Sequence, residues 1–249
     1  STISCVHAMR PEPADWSVMA HDDTSAHQDH DHAHDHGHGH EHDRGLKGMF
    51  RYLGHARSMW SSDVNEAVVD RLAPSSGERA VDIGAGVGAG TVVAARRGAH
   101  VIAVEPTGYM RRVLGVRRLG QRARSRIEVV DGAAESTGLD GDSVDAVWAV
   151  NSMHHWTDHD AAVRELARIL RPGGRLLLAD EDFDDPAHPD HEAFTERHAD
   201  HAHHFAMVEV QHMAAGLRAA GLDVTTADKE LLAGAPTLVL EATKATGDS

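Results

Sequence analysis

A chain of 249 residues, 41% hydrophobic and 25% charged, is long enough for one sizeable α/β core or for a core with extensions. Its formal charge of −15 opposes a nucleic-acid surface, because phosphate binding needs clustered positive charge with little opposing field. The single cysteine, Cys5, leaves no intrachain disulfide framework and no thiolate-rich metal site; with no apolar run near the roughly 20 residues of a membrane span and no basic-then-apolar signal pattern, cytoplasmic folding is the economical expectation.

Residues 1 to about 28 hold Pro11, Pro13 and scattered polar residues without periodicity. From Asp29 to Asp43, histidine recurs at every second position among Asp, Ala, Gly and Glu, with nothing large and apolar to build a core. Residues 1–45 are therefore expected to form a mobile N-terminal arm, and 46–249 the folded domain. Imidazoles beside carboxylates can chelate Zn²⁺, Ni²⁺ or Cu²⁺, but so repetitive a spacing offers many equivalent partial sites in place of one geometry.

Ser62 or Asp63 can cap a helix through Leu72, whose Val64, Ala67, Val68 and Leu72 share one face, and Pro74 and Gly77 end it. A strand follows at Arg79–Ile83, then the closely spaced Gly84, Gly86, Gly88 and Gly90, then a helix through Thr91–Ala95. Val101–Val104 is a second buried strand, closed by Glu105. Pro106-Thr107-Gly108 opens a helix whose seven arginines, between 111 and 126, read as a solvated face or an anion-binding one. Ile127–Val130 and Ser143–Val150 are the third and fourth strands. A helix over 160–170, a turn at Arg171-Pro172-Gly173-Gly174 and a fifth strand at Arg175–Ala179 follow. The strand-helix alternation predicts a doubly wound, mostly parallel sheet with right-handed crossovers. Residues 181–205, rich in Asp, Glu and His, read as a lid or insert. A helix over 206–220 leads to strands at 222–226 and 237–241, paired as a hairpin at the sheet edge.

The glycine loop is a ligand site in physical terms. Glycine permits positive φ and close approach of backbone to a bound molecule, and the free N–H groups at the following helix start supply donors and a positive dipole end. A carboxylate closing the second strand, about twenty residues on, can reach a ribose diol. Together, the loop and Glu105 predict a nucleoside-containing cofactor across the carboxyl edge of two parallel strands. Gly84-x-Gly86-x-x-Ala89 also satisfies a dinucleotide fingerprint, so the loop alone does not choose the nucleoside.

The stretch from about 60 to 241 resembles the class I S-adenosylmethionine-dependent methyltransferases, in the small-molecule group that includes the ubiquinone/menaquinone-biosynthesis type. The resemblance rests on Val81-Asp82-Ile83-Gly84-Ala85-Gly86-Val87-Gly88, Glu105, Gly132 to Asp145, Asn151 to Trp156, and Arg168 to Leu176. It implies a Rossmann-like seven-stranded sheet with helices on both faces and its last strand antiparallel. It also implies that Asp82, Gly84, Ala85, Gly86 and Gly88 face the methionine portion of S-adenosylmethionine. Glu105 would hold the ribose hydroxyls, and Pro106, Asp131, Ala133, Ala134 and Asn151 would complete the cofactor site. Ala133 departs from the family, which usually has an Asp there to accept from the adenine amino group; Asp131 or Glu135 would have to substitute, with backbone donors of Ala133 and Ala134 reading the ring edge.

Methyl transfer from a sulfonium is an in-line displacement in which positioning supplies much of the gain. For a hydroxyl acceptor a histidine base near neutral pKa helps. His154 and His155, at the carboxyl edge of the fourth strand, are the candidate catalytic or acceptor-positioning residues, with a structural role for this pair as the alternative. In the insert, His188, His191, His198 and His201 stand among carboxylates, a composition able to hold Zn²⁺, Mg²⁺, Mn²⁺, Fe²⁺ or Ni²⁺. The alternative is a solvated acidic lid whose field selects a cationic or neutral acceptor. The leading expectation is a methyltransferase acting on a small molecule, oxygen being the favoured atom. The competing ones are a divalent-metal-handling protein on the same scaffold, a metal-assisted methyltransferase, and a dinucleotide oxidoreductase. Small-molecule acceptor, no nucleic acid, no membrane span and a homodimer as an allowed assembly complete the expected partners.

Overall fold

The computed structural model describes residues 62–198 and 209–246. The expected arm at 1–45, the segment 46–61 and His201 lie outside these. Helix α1 (Asp63–Leu72) starts where the Ser62 hydroxyl accepts from the Asn65 N–H at 3.2 Å, and ends at Ala73 in the left-handed region. Then follow β1 (Arg79–Ile83), α2 (Ala89–Arg97), β2 (His100–Val104), α3 (Gly108–Leu119), β3 (Ile127–Val130) and β4 (Val144–Val150). Next come α4 (His159–Ile169), β5 (Leu170–Glu181), α5 (His191–His198), α6 (Val210–Ala219), β6 (Leu222–Leu232) and β7 (Ala235–Lys244).

The seven strands form one Rossmann-like sheet in the order β3-β2-β1-β4-β5-β7-β6. Strands β1 to β5 run parallel, and β7 lies antiparallel between β5 and β6. Buried on both faces, β4 reads Val-Asp-Ala-Val-Trp-Ala-Val without alternation. On one face, Val64, Val68, Val69 and Leu72 of α1 and Val92, Ala94 and Ala95 of α2 pack over Ala80, Val101, Trp148 and Leu177. On the other, Ala162, Val163 and Leu166 of α4 and Met213, Ala214 and Leu217 of α6 cover Val81, Ile83, Val147 and Leu178. Each face buries far more than ten apolar side chains at about 1.5–3 kcal/mol apiece, which pins the strand ends that carry the site.

Three boundaries differ from expectation. The turn at 171–174 lies inside β5 as a bulge: Val144 pairs with Leu170, but Ala146 pairs with Arg175, and Gly173 has φ +79°. The last two strands are much longer than five residues each. They meet at a two-residue turn, Ala233-Gly234, with φ of 52° and 85°, the arrangement that matches strand twist in a hairpin. The polar run Thr225 to Glu230 concealed β6, because an edge strand needs few apolar side chains. Residues 191–198 of the insert form α5.

Candidate functional site

The carboxyl ends of β1, β2, β4 and β5 lie side by side, so the loops leaving them share one edge. Gly84, Gly86 and Gly88 all have positive φ, at 65°, 53° and 82°. Their surroundings differ. A Cβ on Gly84 would fall 2.6 Å from Ser152 Cβ, and one on Gly88 would fall 2.3 Å from Leu114 Cδ1. A Cβ on Gly86 would meet nothing within 4 Å. Gly84 and Gly88 are thus packing glycines, whereas Gly86 presents bare backbone outward.

Glu105 is 5% exposed, and its carboxylate accepts from the Gly86 N–H and the Thr107 N–H, both at 2.8 Å. One acid thereby ties the glycine loop to the start of α3. Arg111 reinforces the same corner by donating to the carbonyls of Glu105 and Pro106 and to Asp131 Oδ2, at 2.7, 2.6 and 2.8 Å.

Asp82 points beneath the loop, not across it. It is 3% exposed and accepts from Thr91 Oγ1 at 2.6 Å, in the first turn of α2. Burial pushes its carboxyl up to about 7; hydrogen bonding to Thr91 opposes this, and the charge of Glu105 adds to it.

The segment after β3 closes on itself. Ala133 N–H donates to Ser136 O at 3.1 Å, and Ser136 N–H returns to Ala133 O at 3.1 Å. Ala133 therefore does not offer the ring-edge donor expected of it in this conformation, and Ala134 is buried. Neither proposed substitute for the missing acid is at liberty: Asp131 pairs with Arg111, while Glu135 accepts from Thr157 N–H, Thr157 Oγ1 and Asp158 N–H at 2.7, 3.0 and 3.2 Å.

At the end of β4, Asn151 takes φ +52°, and its amide is clamped on Glu181: Asn151 Nδ2 donates to Glu181 Oε1 at 2.7 Å, and Glu181 N–H donates to Asn151 Oδ1 at 2.8 Å. The turn that follows wraps around Asp180, which accepts the N–H groups of Ser152, Met153 and His154 at 2.9, 3.3 and 3.1 Å. His154 Nδ1 also donates to Asp180 Oδ2, at 2.8 Å, which fixes the tautomer with Nε2 as the basic nitrogen. The His155 ring tilts against that of His154 with centroids 4.0 Å apart. Crowding by protein atoms, followed by the neighbouring His154, pushes His155 down to about 4, although part of the residue faces solvent.

Among the described residues no group of three His, Cys, Asp or Glu side chains converges to hold a metal ion. His188 has its ring nitrogens engaged: Asp190 N–H donates to Nδ1 at 3.0 Å, and Nε2 donates to Glu181 Oε2 at 3.1 Å. His191 Nδ1 donates to the Phe183 carbonyl at 2.9 Å. His188 thereby ties the insert to the end of β5, and His191 braces the insert on itself. The side chain of His198, like His201, lies outside the described residues. Asp182 and Asp185 are met by Lys229 Nζ at 2.6 and 3.0 Å, so the insert's negative field is partly neutralised.

The methyltransferase domain family matches residues 81–178, a span that runs from β1 and the glycine loop past His154 into β5, ending two residues before Asp180. An uncharacterized methyltransferase of Mycobacterium bovis is 41% identical over 110 residues, 44% of this chain and 42% of that protein. This chain carries a class I SAM-dependent methyltransferase domain. A demethylmenaquinone methyltransferase of Thermobifida fusca is 34% identical over 130 residues, 52% of this chain and 53% of that protein. The chain spans about half the length of the curated relatives it matches. Among solved structures, a SAM-dependent methyltransferase from Aquifex aeolicus superposes with a TM-score of 0.56 at 18% identity, covering 79% of this chain and 97% of that one. Geranyl diphosphate C-methyltransferase from Streptomyces coelicolor, solved with Mg²⁺, geranyl diphosphate and S-adenosylhomocysteine, gives 0.59 at 16% identity, over 82% and 86%. At these identities the likeness is one of fold.

Within the methyltransferase domain, three contributors escaped sequence reasoning. Asp180, just before the acidic insert, is the anchor of His154. Ser152 packs under Gly84 and donates to Ile83 O at 3.2 Å. Thr91 is the partner of Asp82. One signal was available: an acid closing the strand after the His-His segment lies level with that segment when the two strands are parallel neighbours.

Proposed function

We propose that the domain transfers the methyl group of S-adenosylmethionine to a small molecule, with oxygen the favoured acceptor atom. The observation that carries this reading is the convergence, on one sheet edge, of the outward-facing Gly86 backbone, the Glu105 carboxylate and the His154–Asp180 pair. These residues fit the cofactor. Gly86 leaves room where any side chain would project, Glu105 places its carboxylate against the loop, and Asn151 is held at the end of β4 by Glu181. When bound, the sulfonium supplies an electrophilic methyl group for in-line displacement.

The chain's own residues supply position and a proton acceptor. Asp180, satisfied by three backbone N–H groups, orients His154 through its Nδ1. His154 Nε2 takes the proton from a hydroxyl acceptor as its oxygen bonds to carbon. His155 stays neutral near pH 7 and shapes the floor beside it. No step requires a metal ligand set from the described residues. The test is calorimetric titration with S-adenosylhomocysteine. One site per chain is expected for the wild type, with at least a tenfold weaker constant for Glu105→Ala. Saturable binding of NAD in place of the homocysteine derivative would overturn the reading.

A further inference from the structure

Asp82 is a buried acid whose carboxyl is pushed up by its burial. On β1 it is in register with Trp148 of β4, and both residues are buried on the sheet face covered by α1 and α2. Gly90, in the first turn of α2, passes over them. A Cβ placed there would lie 2.7 Å from Trp148 Nε1, 3.0 Å from Asn65 Oδ1 and 3.5 Å from Asp82 Oδ2. Four elements thus bring polar atoms to one spot under the glycine loop: Asp82 from β1, Asn65 from α1, Thr91 from α2 and Trp148 from β4.

The indole N–H of Trp148 is the buried side-chain polar atom that lacks a hydrogen-bond partner among the described residues. It approaches Asp82 closely enough to act as a weak donor that favours the ionised acid, yet falls short of full hydrogen-bond geometry. A donor left unmatched in a dry interior is costly, so the arrangement is poised to gain a bond if the acid becomes a full carboxylate. The titratable group facing Asp82 from the neighbouring elements is Glu105, whose charge opposes ionisation. The Asn65, Thr91 and Trp148 groups are neutral. A cation seated on the loop directly above is the counter-charge this carboxyl lacks.

We propose that Asp82 is a positioning residue whose ionisation is coupled to occupation of the loop. When the cationic methyl donor binds, the Asp82 carboxyl releases its proton to bulk water, and the carboxylate then fixes the first turn of α2 through Thr91 and the Trp148 N–H. The inference rests on the methyl-donor reading above. Burial already holds the carboxyl near neutral pH, where a modest field moves its protonation. Two ligands of nearly one shape isolate the field: S-adenosylmethionine carries the sulfonium charge, and S-adenosylhomocysteine does not.

The experiment is calorimetric titration of the full chain with each ligand at pH 6, 7 and 8, in phosphate and in Tris, whose different ionisation heats report proton release. The wild type should release more protons with the sulfonium than with the sulfide at pH 6 and 7. Its sulfonium affinity should climb several-fold from pH 6 to 8. Asp82→Asn should lose both the excess release and the climb, while the ligand's own amino group titrates alike in both proteins. A second readout needs no ligand: the Trp148 indole N–H resonance, assigned with Trp148→Phe, should shift with a midpoint near pH 7 in the wild type. Thr91→Val, which removes a donor to the carboxylate, should raise that midpoint, and this comparison stands if Asp82→Asn does not fold. Equal proton release by wild type and Asp82→Asn overturns the coupling and leaves the methyl-donor reading intact. Failure of the wild type to bind either ligand overturns the methyl-donor reading instead. An indole midpoint below pH 5 overturns the coupling whatever the ligands do.

Discussion

Replacing Gly84 and Gly86 in turn by Ala separates scaffold from ligand surface within one loop. Both have positive φ, 65° and 53°, so either Ala takes on left-handed strain of about 1–2 kcal/mol. There the likeness ends. At 84 the new methyl would stand 2.6 Å from Ser152 Cβ and 2.9 Å from its hydroxyl, and Ser152 is itself held by Ile83 O and Asp180. Neither side can yield without moving β1 or β4, which adds about 1–3 kcal/mol of overpacking. Gly84→Ala should therefore lose about 2–5 kcal/mol of unfolding free energy, and Gly86→Ala about 1–2. The order reverses in binding, because the methyl at 86 projects outward where backbone meets ligand: Gly86→Ala should weaken S-adenosylhomocysteine at least tenfold while remaining folded. Urea denaturation gives the first quantity and calorimetry on the folded variants the second. Equal destabilisation of the two, or undiminished affinity in Gly86→Ala, would refute the distinction between packing and presenting glycines.

Two further outcomes follow from titrating groups. Glu165 accepts from Thr137 N–H and Oγ1 and from Arg168, which, led by the Arg168 bond, holds its carboxyl down at about 2. A depressed acid stabilises above its unfolded value near 4.5 and loses that contribution as pH falls toward 2. After allowance for solvent screening, Glu165→Gln should cost about 1–2 kcal/mol at pH 7 and progressively less by pH 3.5, read from urea midpoints. His155 behaves oppositely to a paired histidine: held down at about 4, it is neutral in the fold while the unfolded chain protonates near 6.5. Stability should therefore fall as pH drops from 6.5 to 4, and His155→Gln should reduce that slope in melting temperatures across the same window. An unchanged slope would show that other groups set it.

How much of this was legible depended on whether a feature is local. The glycine loop, Glu105 and the five parallel strands announce themselves in apolar runs and turn residues, because β1, β2 and β4 are buried on both faces and have no polar alternation to obscure them. What escaped required knowing which strands are neighbours. Asp180 has no local mark; it matters because β5 lies beside β4 and brings its carboxylate under the Ser152–His154 turn. Composition does not show the partners of the insert's histidines: His188 bonds to Glu181 and Asp190, and His191 to the Phe183 carbonyl. It hides those of the arginine-rich helix in the same way: Arg111, Arg117 and Arg118 reach back to carbonyls of Glu105, Val87 and Ile127 and cap exposed strand and loop ends.

The carboxylates along the sheet edge explain why one fold can treat four like charges so differently. Glu105 and Asp180 are each met by backbone N–H groups, Glu181 by the Asn151 amide and the His188 ring, and these donors hold the side chains in place. Asp82 is turned inward, with the Thr91 hydroxyl and backbone N–H as its donors and the Trp148 indole beside it, and burial outweighs them. A cation arriving at this edge therefore changes little in the three acids that are already balanced. The free energy it can redistribute is concentrated in the one that is not, and that residue sits between the glycine loop and the helix whose first turn must hold still while a methyl group is transferred.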